Sequence, residues 1–513
     1  MNRKRMLLRR KRILCLLIVA LLCLVSAHVT AYAEQAQPVS EPEGIAPVGA
    51  DSVAVPKIEI TTEAGNGTSL LKADGYVNAQ IRITDTDSSV LSGAVQFKVR
   101  GNSTAMDSLQ KKAFTFKFSK KTEVLGMGKG KKWALLANCF DPTLLRNYSA
   151  FEFARELGLP YTSEQRFVEL WLDGEYRGCY VVYEPVQEGK DRVDIDIESN
   201  GGKKDFLIEH EATRVEDDVT YLTAGGVRFS ATDPEEPTDE QLAYITEVMT
   251  DIVNTLKTGD EAAVREKIDV PSFAAFYLLN EFVKNADFGY SSVFFFYKDG
   301  KLYAGPPWDY DLALGNLNAN LNSANAKAAS VPDGILQNQR NLYRWLCNRD
   351  WFMEEIKDVY REHYDFIASI GADGGLLDTL RAQYAGVIAR NFNKWSVSRW
   401  WLNYQRIPFA TYEENYAFLK NWCAERNAWL TEYYDLFRPE SYILGDADDD
   451  GKVTVLDATV IQRHLAALTT LSYHEQAADA DENGEVDILD ATAVQRWLAG
   501  FSGHENIGTM IGS

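Results

Sequence analysis

Asn285-Ala-Asp287-Phe-Gly-Tyr-Ser-Ser-Val293-Phe-Phe-Phe-Tyr297-Lys-Asp299-Gly300-Lys-Leu-Tyr-Ala-Gly-Pro-Pro-Trp308-Asp309-Tyr310-Asp311 is the stretch on which the reading of the fold turns. Val293–Tyr297 is short, apolar and rich in β-formers, so it reads as a buried strand. Asp299-Gly300 then separates it from a second run, the strongest short hairpin signal. Asp287 lies just before the hairpin, and Asp309 and Asp311 just after it. A hairpin brings its ends together, so the spacing predicts three carboxylates converging at one end of a sheet. Asp309 and Asp311 flank Tyr310 and share a face if the chain is extended there. Carboxylates gathered on loops beside a sheet suit a divalent metal or an acid/base pair. Asp is also a common turn residue, so the same side chains suit turn capping.

Working outward toward the N-terminus, Ile58–Ile60, Ala79–Ile83 and Ala94–Val99 alternate as strands. Arg100-Gly101-Asn102-Ser103-Thr104 follows, a turn that offers backbone N–H groups beside an arginine, suited to phosphate. Phe114, Phe116 and Phe118 share a strand face, and the same period puts Lys112 on it. An inward lysine needs an anion or a route to water. Gly126–Lys132 lacks the spacing of a phosphate-binding P-loop and reads as a solvated loop. Asp141-Pro142-Thr143 starts a helix that Gly158 and Pro160 end. Glu152 and Glu156 lie near its apolar stripe; one of them could meet Lys112, or both could be solvated. Phe167–Leu172 and Gly178–Tyr183 flank Asp173-Gly174 as another hairpin, and Asp205–His210 reads as a strand. Helices are predicted over Thr238–Lys257 and Pro271–Val283, the second leading into Asp287.

On the other side, Leu317–Ser330 is rich in Asn, Ala and Ser without periodicity and reads as a mobile segment or lid. Asn338–Arg438 reads as helical, with a capping box at Thr411–Glu414. The tryptophans Trp395, Trp400, Trp401, Trp422 and Trp429 suit core packing better than a sugar-stacking platform. Residues 1–33 carry a basic cluster, the apolar run Ile13–Val25 and Ala31-Tyr32-Ala33, the pattern of a cleaved secretory signal, so the protein is expected to be extracellular without stable membrane insertion. Residues 34–55 read as a flexible linker. Removing residues 1–33 takes away seven basic and no acidic side chains, so the formal charge goes from −21 to −28. Such a chain does not bind nucleic acid through bulk electrostatics. Cys139, Cys179, Cys347 and Cys423 form no CxxC pair, which argues against zinc; the sequence leaves open disulfides or free thiols.

After residue 442 the composition turns acidic and a 33-residue repeat emerges. Asp446, Asp448, Asp450 and Asp457 in the first copy, and Asp479, Asp481, Asn483 and Asp490 in the second, stand at positions 1, 3, 5 and 12 of a calcium loop. Gly451 and Gly484 stand at position 6, and the carbonyls of Lys452 and Glu485 at position 7. With the helices Ala458–Leu465 and Ala491–Leu498, residues 443–500 resemble a type I dockerin, followed by a polar tail over 501–513. The resemblance implies a small all-α module of two loop–helix repeats, two bound Ca2+ ions and a cohesin on a scaffold protein as partner.

Arg100–Thr104, Lys111-Lys112-Ala-Phe114, Leu135–Asn138, Leu144–Asn147, Val168–Gly178 and Trp308–Asp311 occur in order. On these motifs residues 56–437 resemble the spore-coat CotH kinase family. The resemblance implies an α+β, divergent protein-kinase-like domain that phosphorylates Ser or Thr of proteins, using ATP with Mg2+ or Mn2+. It further implies that Lys112 touches the phosphates, paired with Glu152, and that Arg100, Asn102 and Ser103 line the nucleotide site. Asp287 would be the catalytic aspartate and Asp309 would hold the metal with Asp311 close by. Kinase catalytic loops place Asn five residues after the catalytic Asp; here that residue is Ser292. Three functions stand open: an exported, cohesin-docked protein kinase, a non-catalytic coat or adhesion component, and a polysaccharide-active module drawing on Glu184, Glu209 or Asp287.

Overall fold

The computed structural model describes residues 52–216, 219–399, 402–437, 442–468 and 472–511. The expected secretory signal and nearly all of the linker lie outside them, as do Trp400 and Trp401. Among the described residues no helix is long and apolar enough to cross a membrane.

Seven strands close into a barrel: β1 (Lys57–Thr62), β2 (Val77–Thr84), β3 (Val90–Val99), β4 (Phe114–Val124), β5 (Met127–Leu136), β6 (Gln165–Leu172) and β7 (Glu175–Tyr183). Their order is β1-β2-β3-β4-β5-β7-β6, and a parallel β1–β6 pair closes the ring. Closure leaves no edge strand, and alternation sends Ile58, Ile60, Ile81, Phe97, Phe116 and Leu170 into a core of its own. The sequence foresaw the strands but not the closure. Gly126–Lys132 falls largely within β5 rather than in a loop, because Leu125 and Gly126, both at positive φ, make the turn.

A second sheet follows, of order β12-β11-β8-β10-β9: β8 (Phe206–His210), β9 (Tyr221–Ala224), β10 (Val227–Asp233), β11 (Val293–Lys298) and β12 (Lys301–Ala304). The Asp299-Gly300 hairpin forms as expected, Lys298 pairing Lys301 and both turn residues at positive φ. Helices α1 (Arg146–Glu156), α2 (Asp239–Thr258) and α3 (Val270–Phe282) pack in the large core with this sheet. α2 starts on a Thr238–Gln241 capping box and ends at Gly259 in the left-handed region, the two signals that place helix termini.

Leu317–Ser330, expected as a mobile lid, carries α4 (Ala324–Ser330). Ala326 and Ala329 are buried, the Ala328 carbonyl accepts from Lys284 Nζ at 2.8 Å, and the Ser330 carbonyl accepts from Trp422 Nε1 at 3.2 Å. The segment is pinned because its small residues allow close packing, a use of Ala and Ser that periodicity does not report. The long helix α5 (Tyr412–Tyr433) starts on the Thr411 capping box and buries Trp422. It also delivers Arg426 to Glu281 at the end of α3, a 2.6 Å ion pair with both side chains fully buried.

The C-terminal module contains α6 (Val455–Leu465) and α7 (Ile488–Leu498) over a small apolar core. It is not all-α: β13 (Tyr442–Ile443) pairs antiparallel with β14 (Met510–Ile511). The expected polar tail therefore closes the module, with Ile507 buried in its core.

Candidate active site and calcium loops

A cavity of about 720 Å3 opens between the barrel and the second sheet. The barrel contributes Arg100–Thr104 after β3, Ala137 and Asn138 after β5, and Tyr183 at the end of β7. The opposite wall carries Glu209 of β8, Arg214, Asp287, Ser292, Trp308, Asp309 and Asp311. The three expected carboxylates thus line one cavity, without any three carboxylates there lying within 4.8 Å of one another. Tyr310, between the two aspartates, is buried in the core, so the alternation around it holds.

Local bonds fix this geometry. Asn285 Oδ1 accepts the Asp287 N–H at 3.1 Å, capping the short 3₁₀ turn Ala286–Gly289 that follows α3. Asn147 Oδ1 accepts the Tyr310 N–H at 2.7 Å and so anchors the Asp309–Asp311 loop to α1. Arg146, paired with Asp141 at 2.6 Å in a fully buried bridge, reaches the Ala313 carbonyl at 3.2 Å. Asp309 itself has φ +66, a conformation L-residues seldom adopt.

The electrostatics are dominated by crowded acid. Burial raises Asp287 to about 6, with the Asp309 charge adding to it. Burial raises Asp309 against the pull of Arg100 and Arg214, and holds Asp311 well above the carboxylate range with Asp309, Asp287 and Asp141 adding. Glu209 is pushed up to about 7 by burial. Among the described residues none of these four carboxylates forms an ion pair within 4 Å. An all-oxygen set with unbalanced negative charge suits a hard divalent cation. Arg100 stacks over Trp308, its guanidinium 5.2 Å from the ring centroid. The amide nitrogen of Asn138, 4 % exposed, lacks a hydrogen-bond partner, a donor suited to an acceptor-rich ligand.

In the C-terminal module the two loops fold alike. Asp446 accepts the N–H groups of Asp450 and Gly451 at 3.1 and 2.9 Å, and Asp479 those of Asn483 and Gly484 at the same distances. Asp457 accepts from Asp448 and Thr454, and Asp490 from Asp481 and Asp487, again at 3.1 and 2.7 Å in each copy. Carboxylate oxygens of Asp446, Asp448 and Asp450, and of Asp479, Asp481 and Asp490, cluster within 4.8 Å. Asp448 Oδ1 is buried without a hydrogen-bond donor, which fits a cation ligand. Lys452 and Glu485 stand at the seventh loop positions, where the carbonyl is the ligand.

Family models match two regions: CotH kinase protein over residues 97–430 and the type I dockerin domain over residues 444–499. The chain belongs to the CotH kinase protein family. A type I dockerin follows the CotH domain, as the motif order implied. Type I dockerins bind Ca2+, and they imply a cohesin partner. Comparison with curated proteins finds no match to the chain.

The CotH domain brings together Arg100, Asn102, Ser103, Asp287, Asp309 and Asp311. It does not bring Lys112 or Glu152 there. Lys112 precedes β4, so strand alternation does not govern it; its buried ammonium donates to the Leu70 carbonyl at 2.9 Å. Glu152 pairs with Arg155 at 3.6 Å on α1 instead. Lys111 is equally committed, to the Cys179 carbonyl and Asn391 Oδ1 at 2.8 and 2.9 Å. The cations lining the cavity are Arg100 and Arg214. Arg214 escaped the sequence reading because it lies on an irregular loop without a motif. Asn138 and Asn147 stood in the quoted motifs without a role. Glu184, weighed as part of a sugar-cleaving pair, is outside the lining and faces Arg192 at 3.6 Å. Among the described residues Cys139, Cys179, Cys347 and Cys423 are free thiols, Cys179 and Cys423 buried.

Proposed function

We propose that this CotH protein is an extracellular, metal-dependent protein kinase that transfers the γ-phosphoryl group of ATP to Ser or Thr hydroxyls. Its dockerin would hold it on a cohesin-bearing scaffold. The observation that carries the reading is the meeting of Asp287, Asp309 and Asp311 with the Arg100–Thr104 turn in one cavity. Phosphoryl transfer asks a protein mainly to position groups and balance charge. Asp309 and Asp311 are the oxygen donors for Mg2+ or Mn2+, which would neutralise phosphate charge. Arg100 takes the role the resemblance gave to Lys112, offering a guanidinium to phosphate oxygens from a loop whose Asn102 and Ser103 line the same wall. Asp287, on the same cavity wall, accepts the hydrogen bond of an acceptor hydroxyl and orients it.

The module's outer face supports docking. Val455 and Leu456 on α6, and Ile488 and Leu489 on α7, are each more than half exposed at matching positions of the repeat. Large apolar side chains held out by helices in duplicate suit a protein partner.

Thermal melting of the full chain with a non-hydrolysable ATP analogue and Mn2+ tests the catalytic half. Saturation at about a hundred times Kd stabilises by about 2.7 kcal/mol. Wild type should shift upward and Asp309→Ala should not. Absence of any shift in wild type would leave the coat-component reading in its place.

A further inference from the structure

Glu209 has no role in the scheme above, yet it lines the same cavity. Its strand neighbours Ile208 and His210 are buried, and alternation along β8 turns Glu209 to the other face, opposite Phe294 of the cavity wall. Oε1 accepts the backbone N–H of Ser292 at 2.7 Å. Ser292 stands five residues after Asp287, where protein kinases carry the asparagine that holds their second cation. The carboxylate is thus bonded to the very position whose side chain falls short as a ligand.

Charge makes the same case. Glu209, Asp287, Asp309 and Asp311 line this cavity, and Arg214 is shared between them and Glu211 at 3.7 Å, Glu216 at 3.9 Å and Ser291 Oγ at 3.0 Å. Arg100 and Arg214 do not balance these four carboxylates together with Glu211 and Glu216, and one divalent cation still leaves negative charge. Asp311, only 9 % exposed, lines the cavity with the Leu312 backbone N–H as a hydrogen-bond donor and no cation within ion-pair distance. A buried acid left in that state points to a cation that belongs there.

We propose that Glu209 is a ligand for a second divalent cation beside Asp309, standing in for the asparagine that Ser292 replaces. The proposal rests on the nucleotide-and-metal reading of this cavity.

Mn2+ binding to the full chain, followed by electron paramagnetic resonance in excess Ca2+ with a non-hydrolysable ATP analogue, tests it. Wild type should take up two Mn2+ in a nucleotide-dependent manner. Glu209→Gln should keep the first and weaken the second at least about tenfold. Adding Ser292→Asn to Glu209→Gln should restore the second site, an outcome no merely structural role of Glu209 produces; failure of that rescue overturns the proposal. Should Glu209→Gln not fold, Glu209→Asp keeps the charge but shortens the reach, and must weaken the second site alone. A wild type that binds one Mn2+ with nucleotide, or a Glu209→Gln that binds two unchanged, removes the second ligand and leaves the kinase reading intact. A wild type that binds neither Mn2+ nor nucleotide here removes that reading itself.

Discussion

The phosphate contact that the resemblance gave to Lys112 falls, in the proposed reading, to Arg100, which lines the cavity where Lys112 does not. Lys112 is engaged within the fold: its buried ammonium donates to the Leu70 carbonyl in the connection between β1 and β2. Replacing it with methionine strands that acceptor, at a cost of about 1–3 kcal/mol. Lys112→Met should therefore lower the urea midpoint while nucleotide affinity of the folded fraction stays within about twofold. Arg100→Ala should do the reverse, weakening nucleotide binding about tenfold or more through loss of a charge-assisted bond, with little change in stability. Titration calorimetry and denaturation on both variants check the pair. His210 gives a separate pH signature. Burial pushes it down to about 4, and its Nδ1 lacks a hydrogen-bond partner. The unfolded chain binds this proton below about 6.5 and the folded chain only below about 4, so the group's contribution is lost as pH falls through that window. Wild type should lose about 3 kcal/mol relative to His210→Phe from pH 7 to pH 4, read from denaturation midpoints.

The turn after β3 owes its shape to Gly101. Its φ is +90, and a Cβ there would lie 2.0 Å from Thr104 Oγ1, which bonds the Arg100 carbonyl at 3.2 Å. Gly101→Ala should cost about 1–2 kcal/mol or more and loosen Arg100, Asn102 and Ser103 together. A parallel fall in melting temperature and in nucleotide affinity is expected; affinity loss without destabilisation would contradict the strained-turn account. Elements of this size were the legible part of the chain. The Asp299-Gly300 hairpin, the Thr238 and Thr411 caps and the duplicated calcium loops all follow from local chemistry, so the sequence carries them openly. Lys112 lies before the start of β4, so the strand period does not set its direction. Closure of the barrel through β1 and β6 pairs residues over a hundred positions apart, and the packing of α4 depends on Ala side chains meeting distant neighbours. Neither leaves a local trace. Glu209 reaches the cavity through the pairing of β8 with β11, and Arg214 from an irregular loop, so spacing around Asp287 reveals neither.

At the scale of the molecule, the CotH domain and the dockerin draw stability from different sources. The CotH domain has two large apolar cores, whereas residues 442–511 enclose a small one beneath two loops of like charge. Ca2+ bound by the two loops would therefore supply folding energy to the second. A chelator should abolish cohesin binding and the helical signal of α6 and α7 while leaving the main melting transition of the CotH domain in place; circular dichroism and calorimetry separate the two. The most direct measurement of the central claim is transfer of radiolabelled γ-phosphate from ATP, with Mn2+ or Mg2+, to Ser- or Thr-bearing proteins. Wild type should incorporate label, and Asp309→Ala and Asp287→Ala should fall to background. Equal labelling by wild type and Asp309→Ala would contradict it.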